Sequence, residues 1–449
     1  MNYLKKIFSP FCLIISLLLI IYTFYKSEIY WSGEKSSYYL IYYTVGLSLT
    51  VFSIITFFLN QKIKEYLIIL SITILATLYL FEGYLIFFQE KQLQKKQLHK
   101  EKLYEIQAGK KYDKRTRFKI YSDLKKINNK IVVTVSPNDS LTTANKFFAL
   151  SGISNSETIY CNENGYYSVY QSDRYGFNNP DDEWDSKEIE YLLVGDSFAH
   201  GACVNRPNDI ASVLRTLSKK SVLNLGYSGD GPLIEYATLR EYLNPKVKKI
   251  LWLYYEGNDL FNLDAELDNK ILTNYLNNLK FSQNLRLKQN EIDSLLKEII
   301  KKEAQKNKEE INKRVEGKNQ IFHFFKLFNL RSVLNIYLPE KYRPQNNPSS
   351  LKFKKILKLA NNLAISNKSK LYFIYLPQYS RYKNKENNSN YFEIKKSLKE
   401  LDISFIDIHD ELFDKEKNPI KFFPWELEGH YTIEGYNKIA KTILKLIND

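Results

Sequence analysis

Residues 189–203 read IEYLLVGDSFAHGAC. An apolar run from Ile189 to Val194 breaks at once into Gly195-Asp196-Ser197. Ser197 therefore stands where a buried strand reaches the surface. A turn residue, a helix cap and a nucleophile all occur at such a place, and the rest of the chain decides among them.

The same kind of run recurs downstream as SVLNL (221–225), KILWLYY (249–255), KLYFIYL (370–376) and ISFIDI (403–408). Helical stretches lie between: DIASVLRTLSKK (209–220), PLIEYATLREYL (232–243), LKFKKILKLANNLA (351–364) and YFEIKKSLKEL (391–401). A last helix, TIEGYNKIAKTILKLI (432–447), sets Ile439, Ile443, Leu446 and Ile447 on one face. Strands apolar on both faces and separated by helices imply a parallel sheet covered on both sides. The expected fold class is α/β: a three-layer, doubly wound domain over 151–449 with a five-stranded parallel sheet. Residues 261–348 interrupt the rhythm. EIDSLLKEIIKKEAQKNKEEINKR carries Ile292, Leu295, Leu296, Ile299 and Ile300 as one stripe, and the apolar FHFFKLFNLRSVLNIYL follows. The segment reads as an inserted helical pair packed on the domain; the alternative is a lid or a membrane-touching face.

The first 90 residues are a different material. Ile7–Tyr25, Tyr38–Leu59 and Tyr66–Phe88 are apolar and nearly free of charge, and each is long enough to cross a hydrocarbon core of about 30 Å as a helix. Lys5 and Lys6 precede the first span, and Lys62 and Lys64 lie between the second and third. Basic residues in short loops mark the cytoplasmic side, so everything after Phe88 is expected outside the cytoplasm. The basic KQLQKKQLHKEK beyond the third span opposes this, but it opens a long domain, where the charge rule weakens. Glu82, near the outer end of that span, reads as an interfacial carboxylate. Residues 91–150 are Lys-rich with one short apolar run, IVVTV (131–135), and read as a basic juxtamembrane stalk or an embracing arm without a core of its own. The net charge of the 449-residue chain is +15. No zinc- or RNA-binding motif accompanies it and the lysines are spread widely, so nucleic acid is not an expected partner. The three cysteines, Cys12, Cys161 and Cys203, contain no Cys-x-x-Cys pair, so a zinc knuckle is not in view; no cofactor is expected.

In an open parallel sheet, ligands bind at the carboxyl ends of the strands. There the chain offers Gly195-Asp196-Ser197, then NLGYSGDG (224–231), then Glu256-Gly257-Asn258-Asp259; Glu426-Leu427-Glu428-Gly429-His430 precedes the last helix. A hydroxyl, an imidazole, carboxylates, an amide and Gly-exposed N–H groups are what acyl transfer through serine requires. Ser197 needs a base, and His430 is the candidate, since imidazole titrates near neutral pH. The oxyanion needs donors, which the N–H groups of Ser197 and Gly229 and the Asn258 side chain can supply. The imidazole needs a carboxylate to fix its tautomer; Glu428 is nearest in sequence, with Glu426 in reserve. The other histidines, His99, His200, His323 and His409, have no comparable setting and are not expected to be catalytic.

In order and spacing these blocks resemble the SGNH, or GDSL-type, hydrolase superfamily. Gly195, Asp196 and Ser197 match its first block, Gly229 its second, Gly257, Asn258 and Asp259 its third, and His430 in GHYTIEGY its last. The resemblance covers roughly 185–260 and 350–449, and YQSDRYGFNNP (170–180) is similar to the lead-in of many membrane-anchored members. It implies a flavodoxin-like α/β/α fold, acyl ester chemistry without a metal, and supporting places for Asp196 and Asp259. The family usually sets Asp three residues before the His, where this chain has Leu427. Some relatives, including alginate-type acetyltransferases, place Asp two before it, where Glu428 stands.

The expected protein is a membrane-anchored serine esterase or O-acyltransferase, acting outside the cytoplasm on a short acyl ester, such as acetyl, of a surface glycan. Its expected partners are that ester, the bilayer and, for transfer, a separate membrane protein that supplies the acyl donor. A lipid-directed esterase and a non-catalytic glycan-assembly subunit are the alternatives. Cys161 and Cys203 both fall in the exported part, where disulfides persist, and are expected to pair; two free thiols are the alternative.

Overall fold

The computed structural model describes residues 2–31, 33, 36–140, 147–315, 318–334, 348–385 and 390–448. The chain divides into two compact units. One comprises Met1–Lys96 and Glu310–Asn346, the other Gln97–Glu309 and Asn347–Asp449.

The first unit is built on α1 (Asn2–Phe24), α2 (Ser36–Phe58) and the leading part of α3 (Gln61–Ala108). Three helical stretches, Tyr3–Tyr30, Tyr38–Phe58 and Gln61–Ala108, are long and apolar enough to cross a membrane. α2 meets α1 at Gly46, where any Cβ would run into the Ile20 side chain. Outward faces carry exposed Phe11, Leu18, Ile21, Leu40, Ile54, Leu70 and Leu75, which costs free energy in water and none in hydrocarbon. Glu82 corrects the sequence reading: it is fully buried. Its carboxylate accepts from the N–H of Asn329 at 3.0 Å and of Leu330 at 2.8 Å, and from Asn329 Nδ2 at 2.8 Å. Helices Lys318–Phe325 and Phe328–Val333 belong to this unit, and Tyr79 packs on Phe324 with ring centroids 5.3 Å apart. The apolar part of the insertion thus sits with the spans; its last residues, 335–338, lie outside the described residues.

The second unit holds two sheets. A small one joins β1 (Ile131–Val133), β2 (Glu157–Ile159) and β3 (Val169–Gln171), with β2 parallel to β1 and antiparallel to β3. The main sheet contains β4 (Ile189–Gly195), β5 (Val222–Asn224), β6 (Val247–Tyr255), β7 (Lys370–Leu376) and β8 (Ser404–Asp407), all parallel, in the order β5-β4-β6-β7-β8. Alternation along each strand feeds two cores. Leu192, Val194, Ile250, Trp252, Phe373 and Tyr375 face one; helices Pro232–Tyr242, Pro348–Ser366 and Tyr391–Glu400 cover it. Tyr191, Leu193, Leu251, Leu253 and Ile374 face the other, under helices Ile210–Ser218 and Ile433–Asn448. This is the expected α/β/α sandwich.

Of the two readings of this segment, the described residues from Gln97 to Leu150 fit the embracing arm. From Gln97 they belong to this unit, and Ile120, Ile131, Val132, Val133 and Val135 are buried in its larger core. High Lys content conceals this, because the lysines occupy the outer positions of short elements whose apolar side is narrow. The charged helix Gln289–Val315 also packs here, through buried Ile292, Leu296 and Ile300.

Candidate active site

Adjacent strands β5, β4 and β6 end at one rim, so the segments that follow them converge. β4 runs directly into the short helix Ser197–His200. Asp196 caps it, accepting from the Phe198 N–H at 2.8 Å. Asn224, at the end of β5, accepts from the Gly226 N–H at 2.9 Å and donates to the Ala199 carbonyl at 2.8 Å, tying the two loops together. Gly229 has φ +80°, a left-handed conformation that favours glycine. Its carbonyl accepts from the Asn138 side chain, and a Cβ there would strike Ser136. This arm therefore braces one of the candidate oxyanion loops. Asn258 precedes helix Asp259–Glu266, and Asp259 turns back to accept from the Tyr255 N–H at 2.8 Å. The lead-in 170–180 is a brace as well: Asn178 donates to the His200 carbonyl at 3.0 Å, and Asn179 exchanges bonds with the Asn224 backbone.

His430 Nε2 lies 2.9 Å from Ser197 Oγ. Ser197 is 8% exposed. On the far side of the ring the acid is Glu163, not Glu428. Glu163 Oε1 lies 3.0 Å from His430 Nδ1, and its Oε2 accepts from the His430 backbone N–H at 2.7 Å. Glu428 is exposed and takes no hydrogen bond or ion pair among the described residues. Glu426 accepts from Asn418 Nδ2 at 2.9 Å, away from the imidazole. Glu428 fails the role because Glu163, from another element, already accepts from both the His430 backbone N–H and its Nδ1.

Glu163 follows β2 by four residues, 267 positions before His430. Three contacts fix its backbone. Cys161, two residues earlier, is disulfide-bonded to Cys203, just past the nucleophile helix. Asn164, the next residue, donates to the Cys203 carbonyl at 3.0 Å. Trp425 Nε1 donates to the Glu163 carbonyl at 2.7 Å. The available signal was the cysteine pair itself, since a bridge to Cys203 carries ENG (163–165) to the rim. Glu163, Cys203 and His430 cluster closely enough to resemble a metal-ligand set, but the Cys203 sulfur is bonded to Cys161 and offers no thiolate.

The electrostatics follow from these contacts. Burial pulls the His430 imidazole down, but the Glu163 bond and the charges of Glu163 and Asp196 outweigh it and leave it above its ordinary value. Burial pushes Glu163 up, and the bonds and charge of His430 outweigh that, holding its carboxyl below the usual range. Asp196 is pushed up to about 6 by burial, against bonds from Phe198, Asn258 and Ser197. His200 is fully buried, stacked against Tyr160 at 4.5 Å and Tyr227 at 4.8 Å, and burial drives its pKa to about 3. It is a neutral packing residue.

No protein-family profile matches the sequence, and no curated protein does. Solved structures similar to this chain include lipolytic proteins of the G-D-S-L family. A member of the lipolytic protein G-D-S-L family from Veillonella parvula is 14% identical, with a TM-score of 0.32 over 58% of this chain and 98% of that one. The lipase/acylhydrolase from Enterococcus faecalis is 14% identical, with a TM-score of 0.32 over 58% and 95%.

Proposed function

We propose that the chain is a membrane-anchored serine ester hydrolase or O-acyltransferase acting on short acyl esters of an extracytoplasmic glycan. The observation that carries the reading is the Ser197–His430–Glu163 relay, with both hydrogen bonds already made. A non-catalytic subunit would have no need of it.

In the proposed reaction Ser197 Oγ attacks the ester carbonyl carbon and passes its proton to His430 Nε2. Glu163 stabilises the imidazolium that forms. The N–H groups of Ser197 and Gly229 and the Asn258 side chain receive the oxyanion. Collapse breaks the ester C–O bond, and the leaving alkoxide takes the proton from His430, leaving acyl-Ser197. A second nucleophile then adds to the acyl carbon with His430 as base: water gives hydrolysis, a glycan hydroxyl gives transfer. In transfer a separate membrane protein would supply the donor.

The membrane anchor is supported by the three apolar helices, and the outside placement by the lysines flanking the first and between the second and third. A phosphatase fused after Asp449 should be active only if exported; activity solely of a cytoplasmic reporter would reverse the orientation. The lipid-directed alternative draws on residues 318–334, which share a unit with the spans and expose Ile321 and Phe325. Aryl acetate turnover by the full chain, with mass spectrometry of trapped protein, tests the chemistry. The expected result is an acetyl group on Ser197 and no turnover by Ser197→Ala. Parental turnover by that variant overturns the reading.

A further inference from the structure

A cavity of about 730 Å³ lies between the end of α3, Asn164 and Tyr166, and the segments either side of His430 in sequence. This is within the size range of sites that hold drug-sized ligands, roughly 300–1,000 Å³. Its wall is the back of the loops that carry the chemistry. Asn164 follows Glu163, Thr432 lies two residues past His430, and Trp425 holds the Glu163 carbonyl.

The lining has a definite chemical character. Tyr104, Tyr166 and Trp425 contribute aromatic surface, and Tyr104 and Trp425 meet edge to face with centroids 6.2 Å apart. Asn164, Gln107 and Glu426 add planar polar groups. Aromatic rings offer apolar faces beside polar tips, which match the C–H face and the hydroxyl rim of a pyranose. Lys421, the lysine of the lining, is already held by Glu416 at 2.9 Å and Glu434 at 3.5 Å. A phosphate or carboxylate ligand would find that charge neutralised. Trp425 and Glu426 both adopt left-handed backbone, with φ of 60° and 54°. Such strain is held where surrounding structure over-determines it, and it clusters at ligand clamps.

We infer that this cavity is a binding site for a neutral sugar unit, behind the loops that carry Glu163 and His430. The inference rests on the proposed glycan-ester activity for its biological meaning, but the binding stands or falls alone. It makes the enzyme read more of its substrate than the acyl group.

The test uses the full chain in detergent micelles as Ser197→Ala, which cannot turn substrate over, titrated with neutral β-linked di- to tetrasaccharides. Binding is followed by saturation-transfer NMR and by tryptophan fluorescence. Saturable binding is expected, weakened at least about tenfold by Tyr104→Ala and by Tyr166→Ala. Tyr104→Phe, which keeps the ring over Gly165 and loses only the hydroxyl, should weaken binding less than Tyr104→Ala and guards against misfolding. In the active protein the same alanine variants should lose more turnover on an acylated oligosaccharide than on an aryl acetate. No saturation at millimolar saccharide, equal affinity in all variants, or tighter binding of sulfated or phosphorylated sugars overturns the inference. Absence of aryl acetate turnover with saccharide binding intact would overturn the proposed function and leave the subsite standing.

Discussion

Replacing Glu163 by Gln removes the charge facing His430 while keeping the side chain's size and one acceptor oxygen. The two bonds Glu163 makes have different consequences. The bond from the His430 N–H is the same before and during reaction, so it positions the ring without lowering the barrier. The contact at Nδ1, 3.0 Å long, strengthens as the imidazolium forms. Two unit charges 3 Å apart attract by about 1.4 kcal/mol in water and about 5.5 kcal/mol at an effective dielectric of 20. The His430 and Glu163 side chains are 23% and 26% exposed, so the pair lies between these limits, near roughly 3 kcal/mol. That is about two orders of magnitude in kcat. A second signature accompanies it. Glu163 is what holds the imidazole above its ordinary pKa against burial, so without it burial prevails. The acid limb of the kcat/KM profile, where His430 loses activity on protonation, then moves to lower pH. A purely structural role would not move it. Aryl acetate turnover across pH, with Glu428→Gln as the comparison, is the assay. Retention of kcat within about threefold of the parent, an unmoved limb, or an equal loss in Glu428→Gln would refute the assignment.

Asn258→Ala should lower kcat on the order of 10²–10³ with KM little changed, as loss of one oxyanion donor does; a change confined to KM would exclude that role. Reduction of Cys161–Cys203 should lower turnover by freeing the segment that presents Glu163, and a Cys161→Ala/Cys203→Ala pair should be slow and indifferent to reductant. Full turnover after reduction, with both thiols shown by alkylation, would dismiss the tether. Stability should fall as pH rises from about 4.5 to about 8: burial, with mutual repulsion, raises Asp230, Glu235 and Asp259 well above the carboxylate range, and burial raises Glu266 to about 8. An acid whose folded pKa is raised binds its proton more tightly in the native state, so its contribution is present below the unfolded pKa and lost through the folded one. Glu235→Gln, neutral throughout, should flatten the slope of the unfolding midpoint, and a midpoint that rises across this window contradicts the assignment.

The parallel sheet was legible because its strands are apolar on both faces and its helices amphipathic, and both are local patterns. Ser197 and His430 were legible for a related reason. Each stands where a local pattern ends, one after a strand and one before a helix, and the topology alone brings those ends to a common rim. Residues 97–150 were legible only as a stalk or an arm, because Ile120 and Ile131–Val133 make a narrow apolar edge that composition dilutes with lysine. The apolar run after 318 was ambiguous for the opposite reason: an apolar face does not say which apolar partner it meets.

Two carboxylates escaped local reading for one cause. Glu82 reads as an interfacial charge and Glu163 draws no reading at all, since neither has a partner nearby in sequence. Their partners lie 247 and 267 residues away. A carboxylate taken out of water costs several kcal/mol unless hydrogen bonds replace the water, so each buried acid implies a particular donor somewhere in the fold. At Glu82 the donors are the first N–H groups of helix Phe328–Val333, the helix end that carries partial positive charge. At Glu163 they are the ring and backbone of His430. The requirement is the same, but its consequences differ. The first contact satisfies a carboxyl group among apolar helices and binds the segment 328–333 to the third span, so the insertion cannot be deleted without removing Glu82's partners. The second leaves the acid and imidazole reachable by solvent, on a ring whose other nitrogen meets a serine hydroxyl. There the same electrostatics can stabilise a charge that exists only while an ester bond is being broken.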